Sequence, residues 1–115
     1  DQVGGPTWAR GLAEMLWTAM KQENLHGIYH WRDSGECSWY EFAVAIAQEA
    51  SAIGLIDRCA EVRPILSRDY KTKAKRPSYS VLDYSSTCLD IGIHPLPWRD
   101  QLRAMLTDYQ GKACG

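Results

Sequence analysis

The sequence predicts an α/β fold: a small lobe with a two-stranded parallel βαβ unit and about three main helices. Three observations predict it. Apolar residues recur at helical spacing in three separate segments, each with a plausible start signal. Two short stretches, 28–31 and 62–66, are rich in β-favouring side chains and flank the second of those helices. Strand, helix, strand in that order is a βαβ unit, whose strands pair in parallel through a right-handed crossover. With 115 residues the chain is one domain or a piece of one, and an apolar content of 45% with five Trp and six Tyr supports a packed core.

Asp1 to Pro6 reads as a loop, with Gly4-Gly5 at a turn and Pro6 suited to the start of a helix. Thr7 is the expected cap of the first helix. Trp8, Leu12, Met15, Leu16, Ala19 and Met20 form its stripe, and Lys21 and Asn24 suit its last turn before Gly27. Gly27-Ile28-Tyr29-His30-Trp31 follows as the first strand, and 32–37 as a turn. Ser38-Trp39-Tyr40-Glu41 is a capping box, and Phe42, Ala43, Ile46, Ala47, Ala50 and Ile53 continue the second helix to Gly54. Val62-Arg63-Pro64-Ile65-Leu66 is the second strand, confined to an edge by Pro64. A single turn capped by Ser85 or Ser86 runs to Leu89. His94-Pro95-Leu96-Pro97 then extends into a last helix carrying Trp98, Leu102, Met105, Leu106 and Tyr109. Residues 1–110 are the expected lobe, and 111–115 a disordered tail.

Charge is concentrated rather than abundant. The net charge of −1 gives no general pull toward nucleic acid or anionic membranes. Five of the thirteen basic residues nevertheless fall between 68 and 76: Arg68, Lys71, Lys73, Lys75 and Arg76. A basic, tyrosine-bordered loop on an apolar scaffold is where an anionic ligand binds. No apolar run approaches the roughly 20 residues of a membrane helix, and no signal peptide is recognisable. Four scattered cysteines without a CxxC pair are expected to stay reduced, in a cytoplasmic protein, and no His lies at zinc-ligand spacing from them. The start at Asp1, in motif-like sequence, suggests an excised piece.

Several chemistries lack their motifs. There is no GxGxxG, no P-loop, no GxSxG and no HExxH, and no Tyr is followed four positions later by Lys. A nicotinamide or flavin enzyme, or a serine hydrolase of the familiar sort, could therefore not be complete here; the expectation is of no catalytic residue, metal ligand or bound cofactor in this chain.

Five pieces resemble one family in order. They are Asp1-Gln2-Val3-Gly4-Gly5-Pro6-Thr7, Gly27-Ile28-Tyr29-His30, and Gly35-Glu36-Cys37-Ser38-Trp39-Tyr40-Glu41-Phe42-Ala43. Arg76-Pro77-Ser78-Tyr79-Ser80-Val81-Leu82-Asp83 and Trp98-Arg99 with Leu102 complete the set. Together they are similar to the carboxy-terminal part of the dTDP-4-dehydrorhamnose reductases, which are RmlD-like, extended short-chain dehydrogenase/reductases. The resemblance implies that a Rossmann domain outside this chain binds NADPH or NADH and carries the Thr, Tyr, Lys catalytic set. It implies that this part closes over a dTDP-sugar, which the whole enzyme reduces to dTDP-L-rhamnose. The chain departs from the family at Lys71 and Lys73, where prolines are usual.

Arg76 is aimed outward by Pro77, and its guanidinium can fork onto a diphosphate; a structural ion pair is the bland alternative. Gln2 and Thr7 sit beside the Gly-Gly turn at a helix start and are candidate substrate contacts, Thr7 equally a plain cap. Ser78 and Tyr79 are candidates to line the nucleotide or sugar, and Tyr79 equally packs on the strand pair. Trp39 and Tyr40 read as packing at the start of the second helix. The expected partners are a dTDP-sugar, the absent Rossmann domain and a second copy of the fragment, with neither nucleic acid nor membrane. Two rival readings stay open: a non-catalytic regulatory protein on the same scaffold, and a single-strand nucleic-acid module stacking bases on Tyr70 and Tyr79.

Overall fold

A computed structural model describes residues 1–113. In chain order they form β1 (Val3–Gly4), α1 (Ala9–Ala19), β2 (Cys37–Ser38), α2 (Trp39–Ala52), a 3-10 turn (Ser67–Asp69), α3 (Ser85–Ile91) and α4 (Trp98–Ala113). No helix among these residues is long and apolar enough to cross a membrane.

α2 is the element most completely explained by local sequence. The Ser38 hydroxyl accepts from the Glu41 amide at 3.1 Å, and the Ser38 amide donates to the Glu41 carboxylate at 2.7 Å, closing the capping box. At the far end Gly54 takes a left-handed φ of 71°. Its amide donates to the Ser51 carbonyl and that of Leu55 to the Ala50 carbonyl. Those two bonds are the Schellman arrangement that stops a helix.

The core lies between α2 and α4. Ala45, Ala50, Leu102 and Leu106 are buried together, with Phe42, Ile53, Trp98 and Met105 packed against them. Phe42 and Trp98 meet edge to face at 5.9 Å. Each buried leucine is worth about 1.5–3 kcal/mol relative to exposure. Glu49 is also buried in this contact, clasped by Arg99 at 3.0 Å and Arg103 at 2.7 Å.

The mixed helix and strand character of the expected fold is present, but the parallel βαβ unit is not. Residues 28–31 and 62–66 form no strand. Ile28 is 83% exposed, and Pro64 cannot donate to a ladder. Two such short segments bury too little to hold each other without a larger sheet. The observed sheet is antiparallel, with Val3 opposite Ser38 and Gly4 opposite Cys37, in segments expected to be loop and turn. On its other side Val3 bonds the 78–80 segment: its amide donates to the Ser78 carbonyl, and the Ser80 amide donates to the Val3 carbonyl. The first residues of the chain are thus tied on both sides.

The start of α1 also departs from expectation. Thr7 is not the cap; its hydroxyl donates to the Gly5 carbonyl. The Trp8 amide instead donates to the carboxylate of Asp33 at 2.9 Å. A carboxyl oxygen from a distant loop takes the place of the local hydroxyl, because it reaches the Trp8 amide while the Thr7 hydroxyl is turned to Gly5. The helix ends at Ala19, short of Lys21 and Asn24. Of its stripe only Met15 is buried; Leu12, Leu16 and Met20 are exposed, as is Trp17 beside them. α3 starts after Tyr84, and Asp83 rather than a serine accepts from the Ser85 amide. α4 continues to Ala113, into the segment expected as a tail, while positions 114 and 115 lie outside the described residues.

Candidate functional site

A groove of about 450 Å³ opens beside the start of α2. Asp1 and Gln2 come from the segment entering β1, Trp39 from the first position of α2, and Leu66 and Ser67 from the 3-10 turn. Tyr70, Thr72 and Arg76 come from the basic segment. Their chemistry is mixed: two aromatic rings, an amide, two aliphatic hydroxyls, a guanidinium and the Asp1 carboxylate, which is tied to Ser67, around an apolar patch of Ile65 and Leu66.

The segment 68–77 crosses this groove between two fastenings. At one end the Ser67 amide donates to the Asp1 carboxylate at 2.9 Å, and the Gln2 amide donates to the Ser67 hydroxyl at 3.1 Å. The Ser67 hydroxyl bonds the same Asp1 oxygen. At the other end are the Val3 bonds to Ser78 and Ser80. Between them the lining side chains are Tyr70, Thr72 and Arg76, whereas Lys71, Lys73 and Lys75 are exposed outside the groove.

Of the five residues expected to bind substrate, the structure brings Gln2 and Arg76 together. Ser78 and Tyr79 lie beside β1, next to that groove but not in its lining. The Tyr79 hydroxyl donates to Glu36 at 2.6 Å, and that carboxylate beside it raises the phenol's pKa. Thr7 borders a different and smaller cavity of about 100 Å³, with Asp33, Phe42 and Trp98. Sequence reasoning missed Trp39 as a groove residue. It follows a helix cap, which reads as packing, yet it is 66% exposed.

A smaller cleft of about 230 Å³ lies on the other side of Trp39, lined by Gly4, Gly5, Cys37 and Ser80. Cys37 is no nucleophile. Burial, then the Glu41 charge, pushes its thiol up to about 11, so it stays protonated at neutral pH. Gly5 is required by its neighbour: a side chain there would meet the Arg32 Cδ. Arg32 cannot move aside, since it donates to the carbonyls of Leu82, Asp33 and Gly35 and lies 4.7 Å over the Tyr84 ring.

A more voluminous cleft, about 740 Å³ between α1 and α4, is a weaker candidate. Its charges neutralise one another: Arg10 pairs with Glu14, Lys112 with Asp108, and Arg103 with Glu49. Among the described residues no group of His, Cys, Asp and Glu is placed to hold a metal ion.

Known proteins resemble this chain in sequence and fold. A sequence model described as the RmlD substrate binding domain matches residues 1–111. A spore coat polysaccharide biosynthesis protein, SpsK of Bacillus subtilis, is 39% identical over 99% of this chain and 37% of its own. The crystal structure of a dTDP-4-dehydrorhamnose reductase from Clostridium acetobutylicum superposes with a TM-score of 0.84 at 34% identity. That match covers 96% of this chain and 37% of that one. A dTDP-4-dehydrorhamnose reductase of Bacillus anthracis, solved in complex with NADP, gives 0.82 at 27% identity over 93% of this chain and 36% of that one. The chain therefore spans little more than a third of the length of the relatives it matches. Matched along almost its whole length, the chain belongs to the family of the RmlD substrate binding domain.

Proposed function

We propose that this chain is the sugar-nucleotide-binding lobe of a dTDP-4-dehydrorhamnose reductase and that the groove crossed by segment 68–77 is where the substrate enters. The observation that carries the proposal is the pairing of Gln2 and Arg76 in one groove, within a chain matched to this domain over residues 1–111. Arg76 supplies a planar, permanently charged fork for the diphosphate. Gln2 supplies an amide beside it, already oriented by Ser67. Ser78 and Tyr79, held beside β1 next to the groove, are proposed to contact the sugar.

In the whole enzyme a hydride from NADPH or NADH reduces the C4 carbonyl carbon of dTDP-4-dehydro-L-rhamnose, and a proton goes to its oxygen, giving dTDP-L-rhamnose. Neither step is assigned to a residue of this chain. It has no glycine-rich βα turn to cradle a dinucleotide and no Tyr followed at the fourth position by Lys. The cofactor site and the proton donor are proposed to lie in the length of the relatives that this chain does not span. The outward apolar face of α1 is the surface proposed to meet that part.

The test is direct. Incubated with NADPH and the dehydro-sugar, the 115-residue chain should consume no NADPH, while titration with dTDP-L-rhamnose should show binding. R76A should weaken that binding about 10- to 150-fold, the value of a charge-assisted hydrogen bond. Steady NADPH oxidation by the chain alone, or R76A binding as tightly as the parent, would overturn the proposal.

A further inference from the structure

We propose that Trp39 and Tyr70 are the two faces of a nucleobase clamp, and that Arg76 takes the phosphates attached to that base. This rests on the reading of the groove as a nucleotide-sugar site and assigns its nucleoside end.

The two rings are exposed in a way that packing does not explain. Trp39 is 66% and Tyr70 61% exposed, although both line one groove. Phe42 meets the Trp39 ring edge to face at 6.3 Å, which steadies it from one side. A pyrimidine offers two flat apolar faces and a polar edge, and stacks well on aromatic side chains. A pyranose can lay one C–H face on a ring but is puckered and is not flat on both sides, and a bare diphosphate has no use for aromatic walls. The groove's mixture of two rings, an amide and a guanidinium therefore fits a nucleoside diphosphate better than either fragment alone.

The rings also differ in how they are held, as a clamp requires. Trp39 is the first residue of α2, adjoining a closed capping box. Tyr70 lies on the segment held at Ser67 by Asp1 and Gln2 and at Ser78 by Val3. Fixed ends let Tyr70 move onto a base held against Trp39 without the segment leaving the groove. Arg76, on the same segment and before the rigid Pro77, would arrive with it.

Calorimetric titration of the 115-residue chain tests this, with dTDP and inorganic pyrophosphate as probes. W39A and Y70A should each weaken dTDP binding on the order of 5- to 150-fold, the worth of one stacked base. W39F and Y70F should recover most of the loss, because a phenyl ring still stacks. Pyrophosphate binding should fall in R76A and stay unchanged in W39A, with circular dichroism confirming that each variant is folded. If W39A and Y70A bind dTDP as the parent does while R76A does not, the clamp is wrong and the groove reading stands. If W39A weakens pyrophosphate equally, Trp39 acts through the fold and the clamp is again wrong. If the parent chain binds no dTDP at millimolar concentration, the groove reading falls and the clamp with it.

Discussion

Asp33 shows how much one side chain can organise here. It is 1% exposed, one carboxylate oxygen caps α1 through the Trp8 amide, and the other has no hydrogen-bond partner. Burial raises its pKa, and the bond from the Trp8 amide, with the Gln101 side chain nearby, only partly opposes that. A raised carboxylate pKa means that Asp33 favours the folded state most when protonated. Its contribution is complete below the ordinary carboxylate range and declines as pH rises through the raised value. D33N keeps an acceptor for the Trp8 amide and cannot ionise. Urea midpoints should therefore show the parent losing stability relative to D33N as pH rises from about 3 to about 7. D33A, which loses the cap altogether, should cost about 0.5–2 kcal/mol near pH 3, and that cost should shrink as pH rises and the parent's own carboxyl ionises. Nothing near Asp33 in the sequence announces this role, whereas Thr7 stands where a local rule looks for a cap. Trp39 escaped notice for the related reason that adjacency to a cap says nothing about which way a ring faces.

At the scale of elements, what was legible was local. The capping box and Gly54 delimit α2 within a single stretch of chain, and the structure reproduces both ends. S38A should cost about 0.5–2 kcal/mol in chemical denaturation. Strand pairing is non-local: Val3 finds Ser38 on one side and Tyr79 on the other, and no periodicity in a two-residue strand can signal either. Short apolar stretches such as 28–31 satisfy a strand pattern without specifying a partner. The union of α2 and α4 was legible as two apolar stripes, but its ionic clasp was not, because Glu49 sits among alanines on a helix that reads as plain scaffold. Arg103 and then Arg99 hold the Glu49 carboxyl below its usual range. Its contribution is therefore present above that range and is lost as pH falls through the lowered value. E49Q should destabilise the chain by about 1–3 kcal/mol near neutral pH, less than a fully buried pair because both guanidinium groups are half exposed. The urea midpoints of E49Q and the parent should converge on acidification.

The whole molecule is a slab rather than a ball. Its radius of gyration is 16.7 Å and its extents are 49 × 42 × 22 Å, against roughly 13 Å for a compact domain of this length. One face of that slab carries Leu16, Trp17 and Met20 of α1, exposed by 51%, 64% and 77%. Exposed apolar surface of this kind is normally covered by something. The isolated chain should bind a hydrophobic dye such as ANS and sediment above its monomer mass, and L16E/W17E should abolish both. A dye-silent, strictly monomeric parent would contradict the expectation. The Arg76 and Gln2 candidates were legible one by one, yet their meeting depends on the chain's first residues lying under a loop much later in the sequence, which no local pattern encodes.

That placement has a practical side. Asp1 stands in the rim of the groove, with its carboxylate fastened to Ser67. Any residue joined ahead of Asp1 must emerge at the mouth of the cleft. A purification handle fused there would crowd the doorway, and a binding assay would report the handle as much as the protein.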